Sequence, residues 1–410
     1  MRRIVILGCG FGGLAAARRL ADEFAPRRGV ELTVVADRSH FLFTPLWASV
    51  VGGTSQLRQI QIPLRALLDH PVRIAVDRAT TIDLESREVV GVQGRYPFDF
   101  LIVAVGAETD WRGHPEWVSD AISCRTGRDA VEAFEAVGNA FRRAERLADR
   151  EEIRRALTFV VGGAGPTGVE LVGQLADRIR QDIAPMLDTR LANEVRVALV
   201  EPQGEVLPDF APQIRGGARR LLDDAQVDLR TNDGVVARAR GRVELASGDA
   251  FATDNFFWCG GVRPPCWLAG AGFEVDDRGR VLVHRNLQAV GHHGIYVVGD
   301  CAGAGDEVPM KAEVAHEQAD IASCNLVADL AGRSRKSWHY DGPADAIAFG
   351  RTGGAVMWGQ SLVEGRAAQA LRATTYSRLA PGALRKMVLM RDLFSGAVAR
   401  RTSPAGRLLE

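Results

Sequence analysis

The residues of this chain best able to do chemistry are two sets of glycines and two acids. Gly8, Gly10 and Gly13 stand in the spacing GxGxxG, and so do Gly163, Gly165 and Gly168. After each set comes an apolar run that ends on an acid, Asp37 in the first case and Glu201 in the second. In this spacing the first glycine permits a tight turn, the second lets a diphosphate approach bare backbone, and the third lets a helix lie close to its strand. The following helix N-terminus offers unpaired N–H groups to phosphate. An acid at the end of the next strand can accept both hydroxyls of an adenosine ribose. The chemistry is the holding of dinucleotides, twice in one chain.

The elements that must position these residues are legible around them. Arg2 to Leu7 reads as a strand, Leu14 to Ala21 as a helix and Glu31 to Ala36 as the next strand. The pattern repeats with Ala156 to Val161, Val169 to Ala176 and Val195 to Val200, an internal repeat that is the strongest feature of the sequence. Both units close on an apolar run and glycine, Phe98 to Gly106 and Phe256 to Gly261. A further strand, Ile295 to Val298, stops at Gly299-Asp300, where open α/β sheets place ligand contacts. A helix is expected from Ala312 to Leu330 and another from Ala130 to Ala148. Ser39 to Trp47 reads as an apolar loop with proline. After Glu201 come Pro202 and Gln203, with no arginine placed for a 2′-phosphate, so NADH is favoured over NADPH, with Arg263 as the distant residue that could alter this.

At 410 residues two or three domains are expected. The fold class is α/β, with two Rossmann-like domains, the second inserted in the first, and a small C-terminal region. The boundaries fall at 1–115 and 263–330 for the first domain, 116–262 for the second and 331–410 for the remainder. The 51 basic and 51 acidic residues cancel, so no global field argues for nucleic acid. Met1-Arg2-Arg3 leads directly into a strand, which leaves no room for a signal peptide and predicts a cytoplasmic chain. No apolar run approaches the roughly 20 residues of a spanning helix. The six cysteines include neither a CxxC nor a CxxxxC pair, so metal and dithiol motifs are unsupported and buried reduced thiols are expected. Cys9, inside the first glycine loop, and Cys301, beside an acid, stand out.

Two dinucleotide folds in one chain suggest two cofactors meeting at their reactive rings, a hydride donor beside a flavin. Gly8 to Leu14, His40-Phe41-Leu42-Phe43-Thr44-Pro45-Leu46, Gly163-Ala164-Gly165-Pro166-Thr167-Gly168-Val169-Glu170 and Gly299-Asp300-Cys301-Ala302 together resemble type II NADH:quinone oxidoreductases. These are single-chain, non-pumping flavoproteins of the pyridine nucleotide-disulfide oxidoreductase-like superfamily. The resemblance runs from residue 1 to about 330. It implies FAD on Gly8, Gly10, Gly13 and Asp37, with Ala79 touching the adenine through its backbone and Asp300 binding the ribityl chain. It implies NADH on Gly163, Gly165, Gly168 and Glu201, with Glu170 near the nicotinamide. Gly12, Pro45, Gly106, Gly261 and Ala312 join the cofactor contacts on the same ground, and Glu317 and Gln318 would border the quinone. The sequence departs from the family at Ala104-Val105-Gly106, where threonine is usual, and at Glu313 and Glu317, where glutamines are usual. A carboxylate cannot donate a hydrogen bond to a quinone carbonyl unless protonated, and Lys311 and His316 are the nearby donors.

Alternatives share the scaffold. A sulfide:quinone oxidoreductase needs a cysteine well beyond the Gly-Asp strand, whereas the last here is Cys324. A disulfide reductase needs a dithiol after the first glycine motif, and none is present between Phe41 and Gly53. A soluble NAD(P)H flavoprotein with another acceptor, or a NADH sensor, fits the same nucleotide motifs. The C-terminus bears on this choice. Ala383, Met387, Met390 and Phe394 fall on one helical stripe, and residues 366–410 carry nine basic residues against two acids. A peripheral attachment to anionic lipid on the inner face of the cell membrane is expected from that end, with packing in a homodimer as its competitor.

Overall fold

The computed structural model describes residues 1–24, 29–68, 72–305, 308–340, 342, 345–358 and 361–382. The chain begins with β1 (Arg2–Leu7), α1 (Phe11–Phe24), β2 (Val30–Ala36), β3 (Arg73–Val76) and β4 (Phe100–Val103). It continues through β5 (Ile122–Ser123), α2 (Gly127–Ala144), β6 (Thr158–Gly162), α3 (Pro166–Arg178), β7 (Arg196–Glu201), β8 (Asp228–Thr231) and β9 (Asn255–Trp258). Then follow β10 (Ile295–Val297), α4 (Ala312–Leu330), β11 (Ala346–Phe349), β12 (Gly353–Trp358), β13 (Ser361–Glu364) and α5 (Gly365–Leu379). Two compact units result, one of residues 1–42, 61–108 and 262–342, the other of residues 43–60, 109–261 and 343–410.

The first unit is built on a parallel sheet of order β10-β4-β1-β2-β3. Alternate residues Val5, Leu7, Leu101, Val103 and Val297 face one side of it and are fully or almost fully buried there with Phe98, Ile82 and Cys301, as a period of two requires. Each such side chain contributes about 1.5–3 kcal/mol of burial free energy. On the unit's other side α1 packs against α4. That contact is possible because α1 turns Gly12 to its partner: a Cβ there would stand 3.1 Å from the Ala315 carbonyl oxygen.

The second unit repeats the plan with the parallel order β5-β9-β6-β7-β8. One face is filled by Val160, Ala198, Val200, Phe256 and Trp258, with Trp117 edge-on to Trp258 at 5.0 Å. Counted from the strand that enters the glycine loop, both sheets run third, second, first, fourth, with an edge strand beyond the fourth that comes last in the chain in the first sheet and first in the second. An antiparallel sheet, β11-β12-β13, and the helix α5 complete this unit. The α3 helix grips the turn between β11 and β12: Gln174 Nε2 donates to the Gly350 carbonyl at 2.9 Å, and the Arg351 N–H donates to Asp177 at 2.7 Å.

Some expectations shift. The helix predicted over 130–148 runs from Gly127 to Ala144, because Thr126 and Asp129 form a capping box that starts it earlier. The apolar stretch after Ser39 is ordered rather than a loop: His40–Leu42 is a strand, Thr44–Leu46 a 3-10 turn and Trp47–Val51 a helix. The stripe from Ala383 to Phe394 lies outside the described residues.

Candidate functional site

Each unit carries its own candidate site, at the C-terminal end of β1 in the first and of β6 in the second. At the first, the Gly8 N–H donates to the Val35 carbonyl at 2.7 Å, the Ala104 N–H to Leu7 at 2.7 Å and the Leu14 N–H to Gly10 at 2.9 Å. Gly8 has φ +95°, and a Cβ on it would lie 2.3 Å from the Ala104 oxygen; one on Gly13 would lie 2.1 Å from the Gly8 oxygen. Gly10 faces open space. A turn that only glycine can make thus leaves room in front of the N-terminus of α1, as a diphosphate needs.

The second loop repeats these contacts. The Gly163 N–H donates to Val200 at 2.8 Å, the Cys259 N–H to Gly162 at 2.7 Å and the Val169 N–H to Gly165 at 3.1 Å. Gly163 has φ +101°, the hypothetical Cβ of Gly168 meets the Gly163 oxygen at 1.9 Å, and Gly165 again faces open space. Pro166 opens α3 at a position where its missing N–H costs nothing.

The acids differ. The Asp37 side chain is 53% exposed and paired with its neighbour Arg38 at 2.9 Å. Glu201 is buried, one oxygen accepting the Ala164 N–H at 2.7 Å and the other the Gln203 N–H at 3.0 Å. Arg263 pairs with Glu108 at 3.4 Å.

In the same unit Ala79 opens a strand, Gly106 has φ +65°, and Asp300 is half-buried in the 3-10 turn after β10. Ala312 begins α4, and two of its neighbours further on diverge: Glu317 is exposed, whereas Gln318 is fully buried. Successive helical residues point about 100° apart, so these two do not share a face. Gln318 Oε1 accepts the Gly299 N–H at 2.7 Å, and its Nε2 is buried without a partner among the described residues. His316 lies 3.8 Å from Asp320.

In the second unit Glu170 sits one turn into α3 with its side chain 16% exposed. Arg372 from α5 donates to it at 2.6 Å and the Ala348 N–H at 3.2 Å. Burial holds the Glu170 carboxyl above the ordinary range even with that guanidinium beside it. Arg372 also reaches the Pro45 carbonyl at 3.3 Å and lies over the Tyr376 ring at 4.4 Å. Gly261 has φ +122° and accepts the Asp110 N–H at 3.0 Å. Beside the pair is a cavity of about 40 Å³ lined by Leu46, Ser49, Gln174, Ala348, Arg351 and Arg372.

Two features escaped sequence reasoning. Arg372 reads as one cation of a basic terminus and is instead a buried partner of Glu170, 202 positions away. Cys124 and Cys259, read as isolated thiols, follow directly on the paired residues Ser123 and Trp258 of β5 and β9. No local spacing signals either.

Residues 2–319 match the family described as pyridine nucleotide-disulphide oxidoreductase. The type II NADH:quinone oxidoreductase NdhA of Mycobacterium tuberculosis is 32% identical over 366 residues, covering 82% of this chain and 75% of that protein. This chain belongs to the type II NADH:quinone oxidoreductases. Within that family the Staphylococcus aureus type II NADH:quinone oxidoreductase is 28% identical, over 83% of this chain and 85% of that protein. A solved structure of NDH2 from Plasmodium falciparum in complex with NADH shares the fold, with TM-score 0.86 at 16% identity, covering 98% of this chain and 99% of that one. The family implies a flavin and a nicotinamide nucleotide. Both glycine loops fit, since each leaves open the space a diphosphate needs, and the unpartnered Gln318 amide fits an acceptor atom of a ligand in the first unit.

Proposed function

We propose that the chain oxidises NADH and reduces a quinone, with FAD as its resident cofactor and without pumping protons. NADH gives up a hydride, the quinone takes two electrons and two protons, and one proton is drawn from solvent. When bound, FAD supplies the two-electron relay between nicotinamide and quinone. The observation that carries this reading is the pair of matching glycine loops, each with open space before its second glycine.

Gly8, Gly10, Gly12 and Gly13 with the α1 N-terminus hold the FAD diphosphate, Asp37 takes the adenosine ribose, and Asp300 the ribityl chain. Ala79, Gly106 and Ala312 complete the flavin contacts through their backbones. Gly163, Gly165, Gly168 and Gly261 frame NADH. Glu201, already fixed by two backbone N–H groups, receives the 2′-hydroxyl; a 2′-phosphate there meets a carboxylate, which disfavours NADPH. Glu170 positions the nicotinamide and is itself oriented by Arg372. Gln318, with its unpartnered amide, borders the acceptor, and the exposed Glu317 lies on another face of α4.

The quinone is dissolved in the bilayer, so the protein docks peripherally through its basic C-terminal end. Among the described residues no helix is long and apolar enough to cross a membrane. Of the nine cations after residue 365, Arg372 is engaged with Glu170, so eight serve the attraction to anionic lipid. Truncation after Ala380 should abolish sedimentation with anionic vesicles at low salt; unchanged binding assigns that end to a homodimer instead.

An acceptor panel on the flavin-loaded protein tests the activity itself. Quinone-dependent oxidation of NADH, slower with NADPH, is expected. Turnover with soluble acceptors and none with quinones would leave a soluble flavoprotein.

A further inference from the structure

The parallel register of β5 and β9 sets Ile122 opposite Phe257 and Ser123 opposite Trp258. One step further along the same register stand Cys124 and Cys259. Neighbouring parallel strands lie about 4.8 Å apart and paired residues project to the same face, a spacing inside the roughly 4.4–6.8 Å between Cα atoms that a disulfide spans. Both thiols are free and belong to half-buried residues. The Cys124 thiol donates to the Ile122 carbonyl at 3.9 Å; burial first, then the neighbouring Cys259 thiol and the charge of Asp129, push it well up, so Cys124 keeps its proton.

Cys259 adjoins the second glycine loop. Its N–H donates to Gly162, its carbonyl oxygen lies 2.4 Å from where a Gly163 Cβ would be, and its Cβ lies 3.5 Å from where a Gly168 Cβ would be. Cys301 is a contrast: it is fully buried, its thiol directed at the Val298 carbonyl at 3.4 Å, and pushed up to about 12 by burial.

We propose that Cys124 and Cys259 are a peroxide-sensitive dithiol whose disulfide lowers nucleotide affinity at the second glycine loop. The regulatory half rests on the reading of that loop as the NADH site. The Cys259 sulfur attacks one oxygen of hydrogen peroxide, the O–O bond breaks, and the departing hydroxide leaves as water with the thiol proton. The Cys124 sulfur then attacks the sulfenic sulfur, and the hydroxyl leaves as a second water with the Cys124 proton. Two thiols lose two electrons and hydrogen peroxide becomes two waters. The new bond ties the end of β5 to the residue against which the glycine turn is packed, so strain in closing it is transmitted to Gly163.

The test uses the full-length, flavin-loaded protein exposed to stoichiometric hydrogen peroxide, followed by alkylation and non-reducing peptide mapping. Two of the six thiols should disappear into one Cys124–Cys259 linked peptide, dithiothreitol should restore them, and the KM for NADH should rise several-fold with flavin content unchanged. Cys124→Ser should keep basal turnover and give neither the link nor the KM response. Thiol loss without the linked peptide, a linked peptide with unchanged KM, or an equal response in Cys124→Ser would each overturn the proposal. If the reduced protein binds no NADH at all, the nucleotide reading and the regulatory half fail together, while the linked peptide alone still decides whether the dithiol exists.

Discussion

The two glycine loops of this chain are near copies in hydrogen bonding, yet the residues around them are prepared to different degrees. Gly8 and Gly163 share a positive φ, the same donor to the second strand and the same crowding against a carbonyl. Two places beyond the third glycine, the first helix carries Ala15 and the second carries Glu170. The acid of the first loop is exposed beside Arg38, whereas that of the second is buried and held by two backbone donors. The second unit thus holds its acid by buried backbone donors, and the first holds its acid only by an exposed ion pair. Buried hydrogen-bonded groups cost stability when removed and exposed ion pairs cost little, which gives the comparison measurable consequences.

The largest is expected at Arg372. Its replacement by alanine leaves the Glu170 carboxylate buried without its cation, at a cost of about 3–5 kcal/mol in unfolding free energy; a change below 1 kcal/mol would mean that the second site is no better fixed than the first. The same carboxyl sets a pH slope. Its folded-state value is raised above the ordinary 4.5, so the folded chain binds more protons there than the unfolded one. That contribution is present in acid and is lost as pH rises through the folded value. Glu170→Gln should flatten this part of the stability profile in denaturant titrations at stepped pH.

Next come the third glycines, where the loops should behave alike. Gly13→Ala and Gly168→Ala each force a methyl onto a carbonyl oxygen and should cost about 1–3 kcal/mol and loosen nucleotide binding; calorimetry that shows one variant tolerated would break the likeness of the two turns. The acids should then separate. In Glu201→Gln the amide presents oxygen to only one of the two backbone donors, so about 1–3 kcal/mol is expected to be lost, with a raised KM for NADH. Asp37→Asn should stay within about 0.5 kcal/mol and reduce only flavin retention. Smallest in stability are Gly10→Ala and Gly165→Ala, whose new methyls enter open space. Their melting temperatures should be unchanged, while flavin content and NADH affinity, respectively, fall at least tenfold.

Much of this was legible in the sequence because it is local. A glycine that needs φ above zero, a strand that ends on an acid and a helix that follows a turn are all written within a few residues. The second copy of the pattern made the first more than a coincidence of glycines, and the helix expected from Ala312 to Leu330 has those same ends. The depth at which Glu201 lies was not legible, since Asp37 and Glu201 occupy equivalent places in the pattern. Nor was the partner of Glu170. Arg372 looks like any cation of a basic helix until α5 is laid against α3. The cysteine pair was missed for the same reason: only the register of β5 on β9 brings together residues 135 positions apart. His316, weighed as a functional donor, is a partly exposed helical residue near Asp320.

The order of strands in the first sheet has a consequence for how the chain is made. β4 ends at Val103 and its outer neighbour β10 begins at Ile295. About 190 residues must therefore leave the ribosome before that edge is closed, roughly 10–40 s at about 5–20 residues per second. Through that interval Phe100–Val103 is an unpaired apolar border, the kind of surface on which another chain can add a strand. Gly299 and Asp300, next after β10, are delivered only when the wait is over. A ribosome stalled beyond Gly261 thus carries both glycine loops but neither Asp300 of the first site nor Arg372 of the second.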